Sequence, residues 1–361
     1  MVAVLDRRSA GRDPLVPPAP ARFHRRARVP GCRGHVPDRR TRHVAAPPRL
    51  RGRRHPLIVQ DRKFEGDQLD DSNAIFADVG TLGDEILVNG TPRPFLDVGT
   101  ETVRLRVLNA SNARVYNFSF DTGMPFLVVG SDGGLLEEPQ AVRSLQLSPG
   151  ERAEIVVRPE AGSSHVLRST PPELKAGFFQ DRFSGGDDRL DVLELRAAPV
   201  LGSSAAIPEK LTTLPELGEP SNTRRIDLTS STTINDREMD MSRIDEVIVA
   251  GTTELWEVTN ASGTIHNFHI HDVQFEILGM TGMSPDHPSL AGRKDTVFIP
   301  PAATVRLLVP FGSHTDPAMP YMYHCHLLKH EDAGMMGQFV VVGADEVTQV
   351  AGTAHHAHDG G

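Results

Sequence analysis

The chain has 361 residues, a formal net charge of −9 and two cysteines, Cys32 and Cys325. This length allows two or three domains, and two isolated cysteines imply no disulfide framework. No segment approaches the run of apolar residues that a membrane span needs, so we expect no membrane-spanning helix.

Residues 1–54 differ in composition from the rest of the chain. They hold 15 Arg, no Lys, three acidic residues and eight Pro, a formal charge of +12. Such a sequence cannot bury enough apolar surface to order itself, so we expect a disordered leader. A basic arm for nucleic acid is one interpretation. We favour out-of-frame translation or a wrongly chosen start, and expect no nucleic-acid partner. No apolar signal-peptide region is visible in residues 1–8.

Short β-branched segments separated by Gly, Pro, Asn and Asp follow from His55 onwards. They include 85–88, 102–108, 154–157 and 338–342. This pattern predicts an all-β sandwich architecture. A Pro- and Ser-containing stretch divides it, and the predicted units are a domain at 55–197, a linker at 198–221, a domain at 222–343 and a His-containing flexible tail at 344–361.

Two motifs rich in metal-binding residue types stand near the C-terminus. An H-x-x-H-x-H motif begins at His266, and an H-C-H-x3-H-x4-M motif ends at Met335. A copper site of the electron-transfer kind takes two His and one Cys in a plane, with a weak axial Met. Cys325, His330 and Met335 supply three of these ligands, and the upstream motif can supply the fourth.

The remaining imidazoles form two H-x-H pairs, His269 with His271 and His324 with His326. In an extended strand, residues two apart point to the same face, so each pair should converge while Cys325 faces the other side. We therefore predict two metal sites on opposite sides of one strand. For any single His, a buried imidazole satisfied by backbone carbonyls is the alternative. Zinc is the nearest rival metal, but it explains neither the Met nor the flanking pairs.

These motifs resemble those of the multicopper oxidases, and most closely the bacterial three-domain branch of cuprous oxidases, spore-coat laccases and bilirubin oxidases. The resemblance runs from about His55 to Val342, and further stretches that carry it are 56–64, 87–90, 104–114, 131–136, 149–154 and 292–297. It implies tandem cupredoxin-like Greek-key β-sandwich domains. Residues 55–197 would be the metal-free middle domain and 222–343 the copper-binding last domain, without the family's N-terminal domain.

The resemblance also implies an oxidoreductase with copper as cofactor and O2 as acceptor. A phenolic, aromatic amine or metal-ion donor would be oxidised at a type 1 copper, with electron transfer to a trinuclear cluster. The implied type 1 ligands are His266, Cys325, His330 and Met335. The implied cluster ligands are His269, His271, His324 and His326. Glu331 is a candidate for proton delivery to the cluster, and a solvated loop carboxylate is the alternative.

The family builds its trinuclear cluster from eight imidazoles, four of which come from a first domain. We therefore expect this chain to hold a complete type 1 site but only a partial type 2/type 3 cluster, and we expect oxygen reduction by this chain to fail. The alternatives are a cupredoxin-like electron-transfer protein and a copper-binding fragment without oxidase activity. The family usually works in the periplasm or outside the cell. The scarcity of Met at 211–241 weakens cuprous ion as the substrate.

Overall fold

The computed structural model describes residues 54–70, 72 and 78–347 of the chain. The disordered leader expected over residues 1–54 therefore lies outside the described residues except for Arg54, and so do the histidines of the C-terminal tail. Among the residues that are described, no helix is long and apolar enough to cross a membrane.

Residues 54–202 form a β-sandwich, which we call the first sandwich. Its strands are β1 (Arg54–Arg62), β2 (Phe64–Glu65), β3 (Gln68–Leu69), β4 (Glu85–Val88), β5 (Thr91–Pro92), β6 (Phe95–Thr100), β7 (Val103–Asn109), β8 (Tyr116–Phe120), β9 (Phe126–Ser131), β10 (Gly134–Val142), β11 (Ser144–Leu147), β12 (Arg152–Val157), β13 (Ser164–Thr170) and β14 (Leu190–Gly202). One sheet has the order β10-β9-β12-β7-β1-β4-β5 and the other β11-β8-β13-β14-β6, while β2 and β3 pair separately. A short helix, α1 (Phe178–Phe183), precedes β14.

Residues 222–342 form the second sandwich. Its strands are β15 (Asn222–Leu228), β16 (Glu246–Val249), β17 (Thr253–Asn260), β18 (His266–Ile270), β19 (Phe275–Met280), β20 (Arg293–Lys294), β21 (Thr296–Ile299), β22 (Thr304–Pro310), β23 (Tyr321–Cys325) and β24 (Met336–Val342). The two sheets have the orders β15-β17-β22-β19-β20 and β16-β24-β23-β18-β21. A 3-10 turn (Pro288–Leu290) and a short helix, α2 (Leu328–Asp332), complete it.

Period-two burial builds each core, as the sequence pattern predicted. In β8, Tyr116, Phe118 and Phe120 are buried while the residues between them are half-buried, because successive side chains of a strand point to opposite faces. The second core is centred on Trp256, which is fully buried and has the ring of Tyr323 at 5.7 Å, centroid to centroid. The all-β expectation is confirmed.

The same turn recurs in both sandwiches. Asn109 ends β7 and Asn260 ends β17. Each side chain donates to two main-chain carbonyls, at 2.8 and 2.9 Å for Asn109 and at 2.8 and 3.0 Å for Asn260. Each also accepts the N–H of a serine two residues later, Ser111 or Ser262, at 3.0 Å. This buried amide satisfies main-chain groups that a turn would otherwise leave unpaired.

The stretch expected to be a linker is partly structured. Strand β14 continues to Gly202, because it pairs with β6 beyond the end predicted for the first domain. Further along, Leu211 is buried, and its N–H donates to the Glu137 carbonyl at 2.7 Å. This segment therefore lies against the first sandwich over part of its length.

Buried charges join the two sandwiches. The Lys294 ammonium of the second sandwich lies 3.1 Å from the carboxylate of Asp132 and 3.1 Å from that of Glu151, both in the first. Next to them, the Arg152 guanidinium donates to both oxygens of Asp295 at 2.6 Å. This two-bond geometry fixes orientation as well as distance, so the contact defines how one sandwich meets the other.

Candidate metal centres

Strands β18 and β23 bring the two sequence motifs together. They are antiparallel neighbours in which Phe268 pairs with Cys325 and His269 with His324. A shift of one residue would turn every side chain to the opposite face. The packing of Phe268 in the core around Trp256 favours this register and therefore the faces on which the ligand-type residues stand.

A first group contains Cys325, His266 and His330, all fully buried. The Cys325 Sγ lies 3.6 Å from Nδ1 of His266 and 3.5 Å from Nδ1 of His330. The two Nδ1 atoms are 3.1 Å apart. His266 begins β18, Cys325 ends β23 and His330 lies in α2, so one sulfur and two nitrogens converge from three elements.

The other ring nitrogens of this group are held from outside. His330 Nε2 is 3.2 Å from the Asp78 carbonyl, to which its N–H donates. His266 Nε2 is 2.8 Å from the Ser262 hydroxyl. A partner on Nε2 leaves the Nδ1 lone pair directed at the sulfur, and such outer contacts orient metal-binding imidazoles.

Burial keeps this group uncharged. It raises the pKa of the Cys325 thiol to about 12 and lowers the pKa of His330 to about 4. Burial, and then the neighbouring His330, hold the pKa of His266 well below its usual range. A cation that replaced the thiol proton would meet a thiolate and two neutral nitrogens. This donor set suits copper of the electron-transfer kind.

Met335 follows α2 and is fully buried. The Cys325 N–H donates to the Met335 carbonyl at 3.2 Å, and the Met335 N–H donates to the His330 carbonyl at 3.0 Å. The predicted axial residue is thus connected through its main chain to two members of the first group.

The second group contains His269, His271 and His324, whose ligand atoms all lie within 4.8 Å of one another. The Nε2 atoms of His271 and His324 are 3.3 Å apart. Nδ1 of His269 is 2.8 Å from the Asp295 carbonyl, which leaves its Nε2 free to bind. Burial, and then His324, lower the pKa of His271, which favours the neutral form of that imidazole.

His326 lies beside this second group. Its ring centroid is 5.6 Å from those of His269 and His324. Strand β23 ends at Cys325 and β18 at Ile270, so one member of each H-x-H pair stands just beyond the extended strand on which the prediction was based. The four rings are neighbours, with three of them forming the closer set, and we include His326 in the second group from here on.

Glu331 is buried, so the alternative of a solvated loop carboxylate is wrong. Only 8 % of its side chain is exposed, and one of its oxygens lies 3.8 Å from Nδ1 of His324. Because Glu331 follows His330 in α2, the helix that carries a member of the first group also directs a carboxyl at the second group.

Sequence reasoning missed the importance of Asn267. Its Oδ1 accepts the His326 N–H at 2.8 Å and lies 3.5 Å from the Cys325 sulfur, while its Nδ2 donates to the Pro149 carbonyl at 2.6 Å. Strand alternation offered a signal. Asn267 lies between His266 and Phe268 in β18, so its side chain points to the opposite face from both. Asn267 therefore touches the sulfur of one group and the main chain of the other.

The first sandwich contains a similar arrangement with a different side chain. In the second sandwich, the Ser262 hydroxyl contacts the His266 ring at 2.8 Å. In the first, the Ser111 hydroxyl contacts the Tyr116 hydroxyl, also at 2.8 Å. A phenol that is fully buried thus stands where the second sandwich has an imidazole, so this place offers no nitrogen ligand.

Comparison with known proteins supports one family. Two family profiles described as multicopper oxidase match residues 208–345 and 61–171. A multicopper oxidase of Staphylococcus haemolyticus is 31% identical over 293 residues, which are 79% of this chain and 58% of the relative. The cell division protein FtsP of Photorhabdus laumondii is 33% identical over 324 residues, 85% of this chain and 65% of the relative.

Solved structures give the same result. The McoA multicopper oxidase of Aquifex aeolicus has a TM-score of 0.70 at 31% identity, covering 80% of this chain and 65% of that one. A laccase-like multicopper oxidase, CueO from Ochrobactrum sp., has a TM-score of 0.69 at 30% identity, covering 80% and 67%. The chain spans roughly six tenths of the curated relatives it matches. With both profiles and these relatives in agreement, the chain belongs to the multicopper oxidase family and has its cupredoxin-like β-sandwich fold.

Proposed function

We propose that this chain carries the electron-accepting copper site and part of the oxygen-reducing site of a multicopper oxidase. The observation that carries the proposal is the convergence of the Cys325 sulfur with Nδ1 of His266 and His330, at 3.6 and 3.5 Å. Met335 is the proposed weak axial ligand. When bound at these residues, copper supplies one-electron redox chemistry, and in the whole enzyme it allows a reducing donor to be oxidised while O2 becomes water.

The residues of the chain then have separate tasks. Cys325 belongs to the first group, while its neighbours His324 and His326 belong to the second, so the main chain at Cys325 is the covalent route for electrons between the groups. Each O2 that becomes two waters takes four electrons and four protons. The buried Glu331 carboxyl, 3.8 Å from His324, is the proposed proton donor on this side.

Colour tests the first group. The copper(II)-loaded chain should be blue, since a copper–thiolate bond gives an intense charge-transfer absorption. Cys325→Ser should remove the colour and leave the fold intact. Cys32→Ser is the matched control, because it removes the other thiol and should leave the colour unchanged. A colourless copper-loaded chain with an intact Cys325 thiol would contradict the proposal.

Stoichiometry and oxygen uptake test the second group. Four imidazoles are half the number that the family uses for its cluster, so we predict about one tightly bound copper for this chain and negligible oxygen consumption with phenolic donors. Addition of a domain with two further H-x-H motifs should recover turnover. Rapid oxygen uptake by the chain alone, lost on His269→Ala, would show that four imidazoles are enough.

A role in cell division is the second candidate function. The relative named FtsP is 33% identical, as similar as the named oxidase. Such a role would not require copper. If the chain supports division equally well with Cys325→Ser, and shows neither colour nor redox activity as wild type, this candidate replaces the first. The family likeness also supports a location outside the cytoplasm, which cell fractionation can test.

A further inference from the structure

The segment Ser148-Pro149-Gly150-Glu151-Arg152, which we call loop 148–152, joins β11 to β12 in the first sandwich, whose described residues include neither of the two candidate metal groups. It nevertheless contacts the second imidazole group at several points. The Asn267 side chain, whose Oδ1 accepts the His326 N–H, donates to the Pro149 carbonyl at 2.6 Å. The loop therefore touches the main-chain support of one imidazole directly.

Gly150 in this loop contacts the His326 ring itself. A Cβ built on Gly150 would lie 2.6 Å from Cδ2 and 2.8 Å from Nε2 of His326, closer than carbon and nitrogen atoms pack. The φ of Gly150 is +88°, a conformation that side chains other than glycine's disfavour. Glycine thus lets the loop backbone form the surface against which this imidazole rests.

Arg152 acts at the other side of the group. Its guanidinium holds both oxygens of Asp295 at 2.6 Å, and the Asp295 main-chain carbonyl accepts the Nδ1–H of His269 at 2.8 Å. A carbonyl at Nδ1 selects the tautomer with a free Nε2. Anchoring Asp295 therefore anchors the acceptor that orients His269.

We propose that loop 148–152 positions two imidazoles of the second group, His326 through steric contact at Gly150 and His269 through Arg152 and Asp295. The first sandwich binds no metal in this proposal but determines the geometry of a site in the second. The inference deepens the proposed function, since it rests on that function in treating these imidazoles as ligands.

Paired glycine substitutions test the steric contact. Gly150→Ala introduces the clash, whereas Gly162→Ala is the matched control, because Gly162 also has a positive φ, +73°, but nothing within 4 Å of an added Cβ. Both variants carry the backbone penalty, so a difference between them reports contact with His326. Trp256 emission, from the single Trp of the chain, shows whether each variant is folded.

Two measurements separate positioning from general stability. In the metal-free full-length chain, imidazole 15N–1H correlations should shift for His326 in Gly150→Ala and stay unchanged in Gly162→Ala. In a Cys325→Ser background, which disables the first group, Co(II) affinity should fall about 10–100-fold for Gly150→Ala, the usual effect of disturbing an outer contact. Gly162→Ala should bind Co(II) as its parent does.

Substitution of Arg152 gives an independent test of positioning by the loop, and this test remains available if Gly150→Ala fails to fold. Arg152→Gln should change the Nδ1–H signal of His269 and weaken Co(II) binding, and Arg152→Lys should restore it only partly, since lysine lacks the two-bond geometry. The proposal is overturned if Arg152→Gln leaves the His269 signal unchanged or Gly150→Ala matches Gly162→Ala. If the parent binds no Co(II) at all, the proposed function fails, while the imidazole signals still test the positioning.

Discussion

Substitution of Lys294 by Met should strongly destabilise the junction of the two sandwiches. The Lys294 side chain is 2 % exposed, and its ammonium lies 3.1 Å from both Asp132 and Glu151, which are 0 % and 2 % exposed. Methionine preserves much of the volume but leaves the Glu151 carboxylate without its cation, and leaves Asp132 with only the Arg152 guanidinium, 3.7 Å away. Removal of one partner from a buried ion pair costs about 3–5 kcal/mol.

This cost predicts a measurable change in melting temperature. Destabilisation by 1 kcal/mol lowers the Tm of a domain of 150–250 residues by about 2–4 °C, so Lys294→Met should lower it by roughly 6–20 °C. Trp256 emission during heating reports the second sandwich. Lys63→Met is the control, because Lys63 also has an ion pair, 2.5 Å from Asp70, but its side chain is 44% exposed. Its Tm should be close to that of the wild type.

The pH dependence of the unfolding free energy lost in Lys294→Met, which we call the deficit, gives a second check. Burial raises the pKa of Glu151 above its usual value, and loss of the Lys294 ammonium should raise it further. A carboxyl whose folded-state pKa is raised stabilises the fold when protonated, and this contribution is lost as the pH rises through that pKa. The deficit should therefore be larger at pH 8 than at pH 5. A deficit no larger than that of Lys63→Met, or one that shrinks as the pH rises, would refute the reasoning.

Three further changes test other parts of the molecule. Copper(II) binding at pH 7 should release about one proton, from the thiol, because burial raises the pKa of Cys325 to about 12 and lowers that of His330 to about 4. Calorimetry in buffers of different ionisation enthalpy measures the number of protons released, and release of two protons would contradict the prediction. Met335→Leu should keep the blue colour and raise the reduction potential, since loss of a weak donor destabilises copper(II) more than copper(I). Met336→Leu, at a residue that is also buried, should leave the potential unchanged, and a redox titration distinguishes the two variants. Asn260→Ala should lower the free energy of unfolding by about 1–3 kcal/mol, because two buried carbonyls lose their donor. An unchanged urea midpoint would show that the Asn260 side chain does not stabilise the fold.

Some features of the site could be predicted because they are local in the sequence. Cys325, His330 and Met335 stand within one short segment, so their spacing alone indicated a soft-metal site. The H-x-H pairs likewise predicted convergent imidazoles, since strand alternation needs only neighbouring residues. The burial of Glu331 could not be inferred in this way, because a Glu beside an Asp in the sequence carries no sign of which side chain will pack inward.

The contacts that orient these ligand-type residues come from distant parts of the chain. The Asp78 carbonyl at His330, the Pro149 carbonyl at Asn267 and the Gly150 backbone at His326 all belong to the first sandwich. No spacing rule connects them to the motifs, because the packing of two separate sandwiches creates these contacts.

The sequence by itself therefore determined the all-β class and the set of ligand-type residues, since two-residue alternation and short motif spacing are properties of neighbouring positions. Only the tertiary structure decided which atoms meet. The pairing of Phe268 with Cys325 places the upstream motif opposite the downstream one, and the buried contacts of Lys294 set one sandwich against the other. Both depend on strand register and on packing between residues far apart in the chain, which local pattern does not encode.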